Sequence, residues 1–192
     1  QQNHTLLQLF DICIRYKEAV VLTYNTEKYL LGAIHTMWMA RRGQPKELIT
    51  DGAGGIQQSE SFSKMGYAQN IKLILRPPGT HARYAERRGA LLREVVHKVT
   101  DQIHEWGLGD ATFARILAES AFAGSALLTV GGFSPCAAVY GRVPRILPDI
   151  ACQRAPGEHG LPWPGTLRYA RRLREAAVEA MVQVSAHTHA CF

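Results

Sequence analysis

"RPPGTHARYAERRGALLREVV", residues 76–96, decides the reading of this 192-residue chain. Pro77, Pro78 and Gly79 punctuate a turn. After them Leu92, Val95, Val96, Val99 and Ile103 recur at helical spacing, which predicts a long helix from about Tyr84 to Glu105. Its first turn carries one carboxylate, Glu86, among Arg83, Arg87, Arg88 and Arg93. An acid at a helix start is favoured by the macrodipole by up to about 1 kcal/mol. That explains the acid and leaves the arginines unexplained.

Outward from this stretch, the chain alternates strands and helices. "IKLIL" at 71–75 and "ELIT" at 47–50 read as short apolar strands, the second leading into Asp51 and a bend at Gly52, Gly54 and Gly55. A polar helix near Gln57–Ala68 separates them. Toward the N-terminus, Leu6–Ile14 and Lys17–Thr23 form a hairpin of two strands. Asn25 is placed to cap a helix over about Thr26–Arg41 that Gly43 ends. Toward the C-terminus a helix over about Asp110–Leu127 starts at Asp110 as cap. "GGFSPCAAVYGR", 131–142, follows as a short Ser-capped helix with proline at its first position and Gly141 at its end. These elements predict an α/β fold, a mixed sheet flanked by helices. A core over 1–143 is followed by a Pro/Gly-rich linker at 144–165. The last segment, 166–192, carries an amphipathic helix with Leu173, Ala176, Ala177, Ala180, Met181 and Val184 as its apolar stripe.

Formal net charge is +6 with a pI of about 9.3, which favours a polyanionic partner. The charge is concentrated. Residues 76–98 carry six cations (Arg76, Arg83, Arg87, Arg88, Arg93, Lys98) against Glu86 and Glu94, and 168–174 carry Arg168, Arg171, Arg172 and Arg174 with no acid. No run of eighteen or more apolar residues and no signal-peptide pattern occurs, and the final helix's alanine stripe offers little area to a bilayer, so an intracellular protein with no membrane partner is expected. Cys13, Cys136, Cys152 and Cys191 lie far apart and read as reduced thiols. The chain opens on Gln1 and runs straight into an apolar strand, which reads as an excerpt of a longer polypeptide.

Asp51 at a strand's carboxyl end and Glu86 in the first turn of the long helix are the chemical candidates, because ligands collect at such strand ends in α/β sheets. Two acids converging there call for a cation, and hard oxygen donors suit Mg²⁺ or Mn²⁺. With basic residues alongside, a phosphodiester substrate fits. Two metals roughly 3.5–4 Å apart activate a nucleophile and stabilise the leaving oxygen of an in-line displacement.

"ELITDGAG", "RPPGTHARYAERRGALLR" and "GGFSPCAAVYGR" together resemble the catalytic core of a retroviral-type integrase as carried by LTR retrotransposons, over roughly residues 6–150. The resemblance implies a ribonuclease H-like fold lacking part of its N-terminal strand region, with a C-terminal helical extension. It implies two aspartates and a glutamate holding two divalent metals for 3′-end processing and DNA strand transfer. Asp51 matches the second aspartate and Glu86 the glutamate. Asp11 matches a position that is not a ligand, so the first catalytic aspartate is expected upstream of Gln1 and this fragment is expected to bind without turnover. Arg93 matches a residue that touches the element's DNA end, whereas Ala90 does not; Arg83, Arg87, Arg88 and His81 are the further DNA-contact candidates. Implied partners are double-stranded DNA, as element ends and target, and further copies of the chain. The implied place of action is the nucleus. The family's Asp-Asn-Gly is Asp51-Gly52-Ala53 here, and no His/Cys zinc module precedes the core.

Blander readings stand beside these. His81 and His97 also suit solvent-facing positions, Tyr84 either stacks on a base or packs beneath its loop, and "HTHAC" (187–191) suits a frayed end. The last helix is either a linker helix that meets DNA or a neighbouring subunit, or a surface helix. A decayed, non-catalytic DNA-binding copy is the alternative function, and a ribonuclease H-type nuclease, which the Gly-Phe-Ser-Pro segment argues against, is a third.

Overall fold

The structure, a computed structural model, describes residues 4–50, 59–76, 83–109, 111–129, 131–146 and 167–190; of Arg83, Tyr84, Leu167, Arg168 and 187–190 it describes the backbone alone. Two compact units divide the chain, 1–9 with 20–87 and 10–19 with 88–192.

The first unit holds both sheets. Strands β1 (Thr5–Phe10) and β2 (Lys17–Leu22) pair as a hairpin whose turn end falls in the second unit, and β3 (Glu47–Thr50) runs parallel to β4 (Lys72–Leu75). Mixed α/β architecture is therefore as read from the sequence. The described strands are distributed over two two-stranded sheets. Helix α1 (Glu27–Ile34) starts at Thr26, one residue after the Asn25 expected to cap it, and Thr26 makes no side-chain cap bond. It then widens into a π-helical stretch (His35–Met39) and ends in a short turn, α2 (Ala40–Arg42). The widening coincides with Thr36, whose hydroxyl donates to the Gly32 carbonyl at 2.8 Å and competes for an acceptor of the α-ladder. Arg42 donates to the Met37 carbonyl at 2.9 Å, folding its side chain back on the π-helical stretch.

Helix α3 (Glu60–Ala68) is capped by Ser59, whose Oγ accepts from the Phe62 N–H at 2.9 Å. The same hydroxyl donates to Glu27, so one side chain ties α3 to α1. Hydrogen bonds from Ser59 and Ser61 hold the Glu27 carboxyl below the usual carboxylate range. Ile34, Met39, Phe62 and Ile71 form the unit's core, with Leu7, Leu9, Leu48 and Leu73 of the strands packed on it. At Gly66 a Cβ would lie 2.8 Å from Leu73 Cδ1 and 3.2 Å from the Ile71 carbonyl, so the bare α-carbon is what lets α3 lie close to β4.

The second unit is helical. Helix α4 (Arg83–Glu105) enters it from Arg88 onward and buries Leu92, Val95, Val96, Val99 and Ile103, the face expected from the sequence. Helix α5 (Phe113–Leu127) begins after Thr112; Asp110, its expected cap, lies outside the described residues. Helix α6 (Pro135–Tyr140) is as expected: Ser134 Oγ accepts from the Ala137 N–H at 3.2 Å and Gly141 closes it at φ 67°. Helix α7 (Leu167–Ala190) buries its whole expected stripe, Leu173, Ala176, Ala177, Ala180, Met181 and Val184, at zero exposure. It packs on α5, where Arg174 meets Glu119 through two N–H groups at 2.5 and 3.1 Å.

Lys17, at the start of β2, lies inside this unit. Its N–H donates to Ser125 Oγ at 3.3 Å, and that hydroxyl donates back to the Lys17 carbonyl at 3.1 Å. The side chain is 4% exposed, and its Nζ has no hydrogen-bond partner among the described residues. A Cβ on Gly124 would lie 2.6 Å from both Lys17 Cε and Nζ, so the amine occupies the space a side chain there would take. Burial, with repulsion from Arg88, lowers its pKa from 10.5 to about 8.

Two outcomes follow for stability. Between pH 8 and 10.5 the unfolded chain holds a proton that the folded chain has released, so stability rises with pH across that window, while below pH 8 the full cost of the buried charge, on the order of 3 kcal/mol, is present. Lys17→Met is expected to raise the urea midpoint at pH 7 and to flatten its dependence between pH 8 and 10; unchanged slopes would show that the amine titrates normally. Ser59→Ala is expected to lower stability by about 1 kcal/mol through the lost cap, read from the same unfolding curves.

Candidate functional site

Parallel pairing sets Thr50 opposite Leu75, so the carboxyl ends of β3 and β4 lie side by side, and the Arg76 N–H donates to the Thr50 carbonyl at 3.1 Å. From there the two chains continue into the expected site segments: Asp51 follows Thr50 directly, and α4 starts seven residues after Arg76. Thr50 Oγ1 is buried at this end without a hydrogen-bond partner among the described residues. Asp51, Gly52, Ala53 and His81 lie outside the described residues, as does the side chain of Arg83.

Glu86 is exposed in the first turn of α4, with Arg87 also exposed and Arg88 half-buried. Steps of four and seven along one helix align Glu86 with Ala90 and Arg93. Arg93 is exposed, and no ion pair engages it among the described residues. Arg83, in the opening turn, sits at the positive end of the helix dipole, where a cation is disfavoured.

The other basic run behaves differently. Arg171 pairs with Glu175 at 2.8 Å, and Arg172 reaches the same carboxylate at 3.3 Å while lying 5.2 Å from the Trp106 ring centroid. Arg174 is taken by Glu119 and lies 4.3 Å from the Phe122 ring centroid. These three arginines are absorbed by packing on and against α7. Counting charges along 168–174 misses this, since the compensating acids lie at 175 and 119; the i, i+4 spacing of Arg171 and Glu175 was the available signal.

Among the described residues, no three His, Cys, Asp or Glu side chains converge as a metal-holding group. Glu86 is the described member of the expected pair, and its carboxylate oxygens are the donor type a hard divalent cation takes. A polar cleft of about 370 Å³ in the second unit, bordered by Asp101, Gln102, Glu105, Trp106 and Glu179, does not include Glu86. Lys17 is the residue that sequence reading passed over: a lysine opening a strand gives no sign that its amine will be buried.

No protein family and no curated protein matches the chain by sequence. Solved structures do match by fold. The HTLV-2 integrase catalytic core domain in complex with magnesium aligns with TM-scores of 0.56 in its dimeric form and 0.57 in its trimeric form, each at 12% identity. The alignments cover 69% and 71% of this chain and 82% and 85% of those. The simian T-cell lymphotropic virus intasome in complex with PP2A regulatory subunit B56 gamma aligns at TM-score 0.60 and 16% identity, over 76% of this chain and 50% of that one. The chain thus has the mixed α/β fold of retroviral integrase catalytic cores.

Proposed function

We propose that the chain is an integrase catalytic core of the ribonuclease H-like kind carried by LTR retrotransposons, working on double-stranded DNA in the nucleus. The observation that carries this reading is the start of α4, where exposed Glu86 stands beside exposed Arg87 and in line with exposed Arg93, on a fold shared with integrase cores. In it, Asp51 and Glu86 supply carboxylate oxygens to Mg²⁺ or Mn²⁺, which when bound contributes charge stabilisation to phosphoryl transfer. Magnesium accompanies two of the structural neighbours, which supports the choice of metal.

The arginines do the holding. Arg87 and Arg93 meet phosphates of the duplex, with Arg83, Arg88 and His81 as the further contacts. Such contacts fix register and orientation without reading sequence. Self-association is part of the proposal and draws support from the dimeric and trimeric forms of the neighbours.

Two experiments test the reading. Duplex affinity, measured by fluorescence anisotropy, is expected to fall steeply as salt rises; Arg87→Ala with Arg93→Ala should reduce the log–log slope by about 2, roughly one counterion per lost phosphate contact. Salt-insensitive binding would sink the basic-face assignment. In a joining-competent parent polypeptide, Glu86→Gln should abolish strand transfer with Mg²⁺ or Mn²⁺ while duplex affinity stays within about twofold. Joining that survives the substitution would remove Glu86 from the site.

A further inference from the structure

Helix α6 and the hairpin turn beside it carry a surface that the Glu86 site does not use. Phe133 is 70% exposed, Tyr140 56%, Val143 74% and, on the turn, Ile12 58%. Tyr16 joins the two segments: its ring meets Tyr140 edge-on at 6.2 Å between centroids, and the hydroxyls lie 3.2 Å apart. Phe133, Tyr140 and Val143 fall within one short stretch of chain around α6, and large apolar side chains exposed at such density mark a binding surface more often than scattered exposure does.

Charge narrows the occupant. From residue 120 to 146 the sequence contains no Asp or Glu, while exposed Arg142 and Arg145 flank Val143. The acids of the hairpin are engaged locally. Asp11 Oδ1 accepts from the Cys13 N–H at 2.8 Å and the Ile14 N–H at 2.9 Å, and Glu18 Oε1 accepts from the Tyr16 hydroxyl at 3.3 Å. Arg15 is held at φ 65°, a conformation L-residues adopt rarely, with its N–H on the Asp11 carbonyl at 3.0 Å. The exposed side chains of 133–145 are aromatic, aliphatic and guanidinium, with no acid among them. A ligand with flat apolar faces strung on a phosphate backbone complements that set, and an intact duplex hides those faces in its own stack.

We propose that Phe133, Tyr140 and Val143, with Arg142 and Arg145, form a second polynucleotide surface that takes unpaired bases of single-stranded or frayed DNA. It rests on the polynucleotide reading above and adds to it a strand state that the start of α4 does not select.

The test compares a labelled single strand with a blunt duplex of equal length, by anisotropy at one fixed salt concentration, on the whole chain. Phe133→Ala combined with Arg142→Ala and Arg145→Ala leaves the Tyr16–Tyr140 contact in place. The expected result is a loss of about tenfold or more on the single strand and of less than about threefold on the duplex, with Arg87→Ala/Arg93→Ala giving the reverse pattern. Wild-type-like single-strand binding by the triple variant overturns the proposal while leaving the duplex reading standing. Absence of all binding by the unaltered chain ends both. Conversion of a dimer to a monomer in ultracentrifugation, with single-strand affinity unchanged, would give the surface to a second copy instead. Ultraviolet crosslinking of a 5-bromouracil-containing strand to the unaltered chain adds a readout that no folding defect can imitate: adducts on Phe133 or Tyr140 support the surface, and adducts confined to other residues overturn it.

Discussion

The second unit depends on how closely α5 and α7 approach. Buried Gly124 on α5 meets Met181 of α7, whose stripe of Ala176, Ala177, Ala180 and Met181 has no solvent exposure. Small side chains let the two helices come close, so that larger ones such as Leu117, Leu173 and Val184 are also fully buried. The tolerance of such packing is narrow. Lys17 is threaded into it, its stem beside Gly124 and Met181, and its main chain gripped by Ser125. The amine costs stability and the stem returns some of it, because a lysine stem is itself apolar surface.

On α7, Arg171, Arg172 and Arg174 are engaged by the carboxylates of Glu175 and Glu119, and they act as cross-links and ring covers. At the start of α4, cations gather at the helix pole that repels them, and Arg93 is left to solvent. The same residue type serves cohesion in one place and stands exposed, at Arg87 and Arg93, in the other.

Much of this was legible because the local rules agreed with one another. "ELIT" was a strand by composition and Thr50 ends it; the α4 and α7 faces followed from period, and all eleven apolar positions named on them are buried. Ser134, Pro135 and Gly141 framed α6 by capping chemistry alone. Misplaced boundaries came from choosing between adjacent cap formers, as with Asn25 and Thr26, where neither residue makes a side-chain cap bond that would distinguish them. The π-helical stretch was hidden because pattern counting does not distinguish a locally widened helix from a regular one. Of the expected acid pair, Glu86 stands where the helix reading put it, and Asp51 lies outside the described residues. The neutralisation of Arg174 and the burial of Lys17 depend on partners fifty or more positions away, which local pattern cannot supply.

Ser125 has an effect that reaches beyond the fold of one molecule. By taking both the N–H and the carbonyl of Lys17, its hydroxyl stands in for a neighbouring strand at one rung of β2. A two-stranded ribbon has open edges, and open edges recruit strands from other chains. At this rung the invitation is withdrawn by a single side chain, so a substitution there would reach solubility and aggregation through a route that its small packing volume does not suggest.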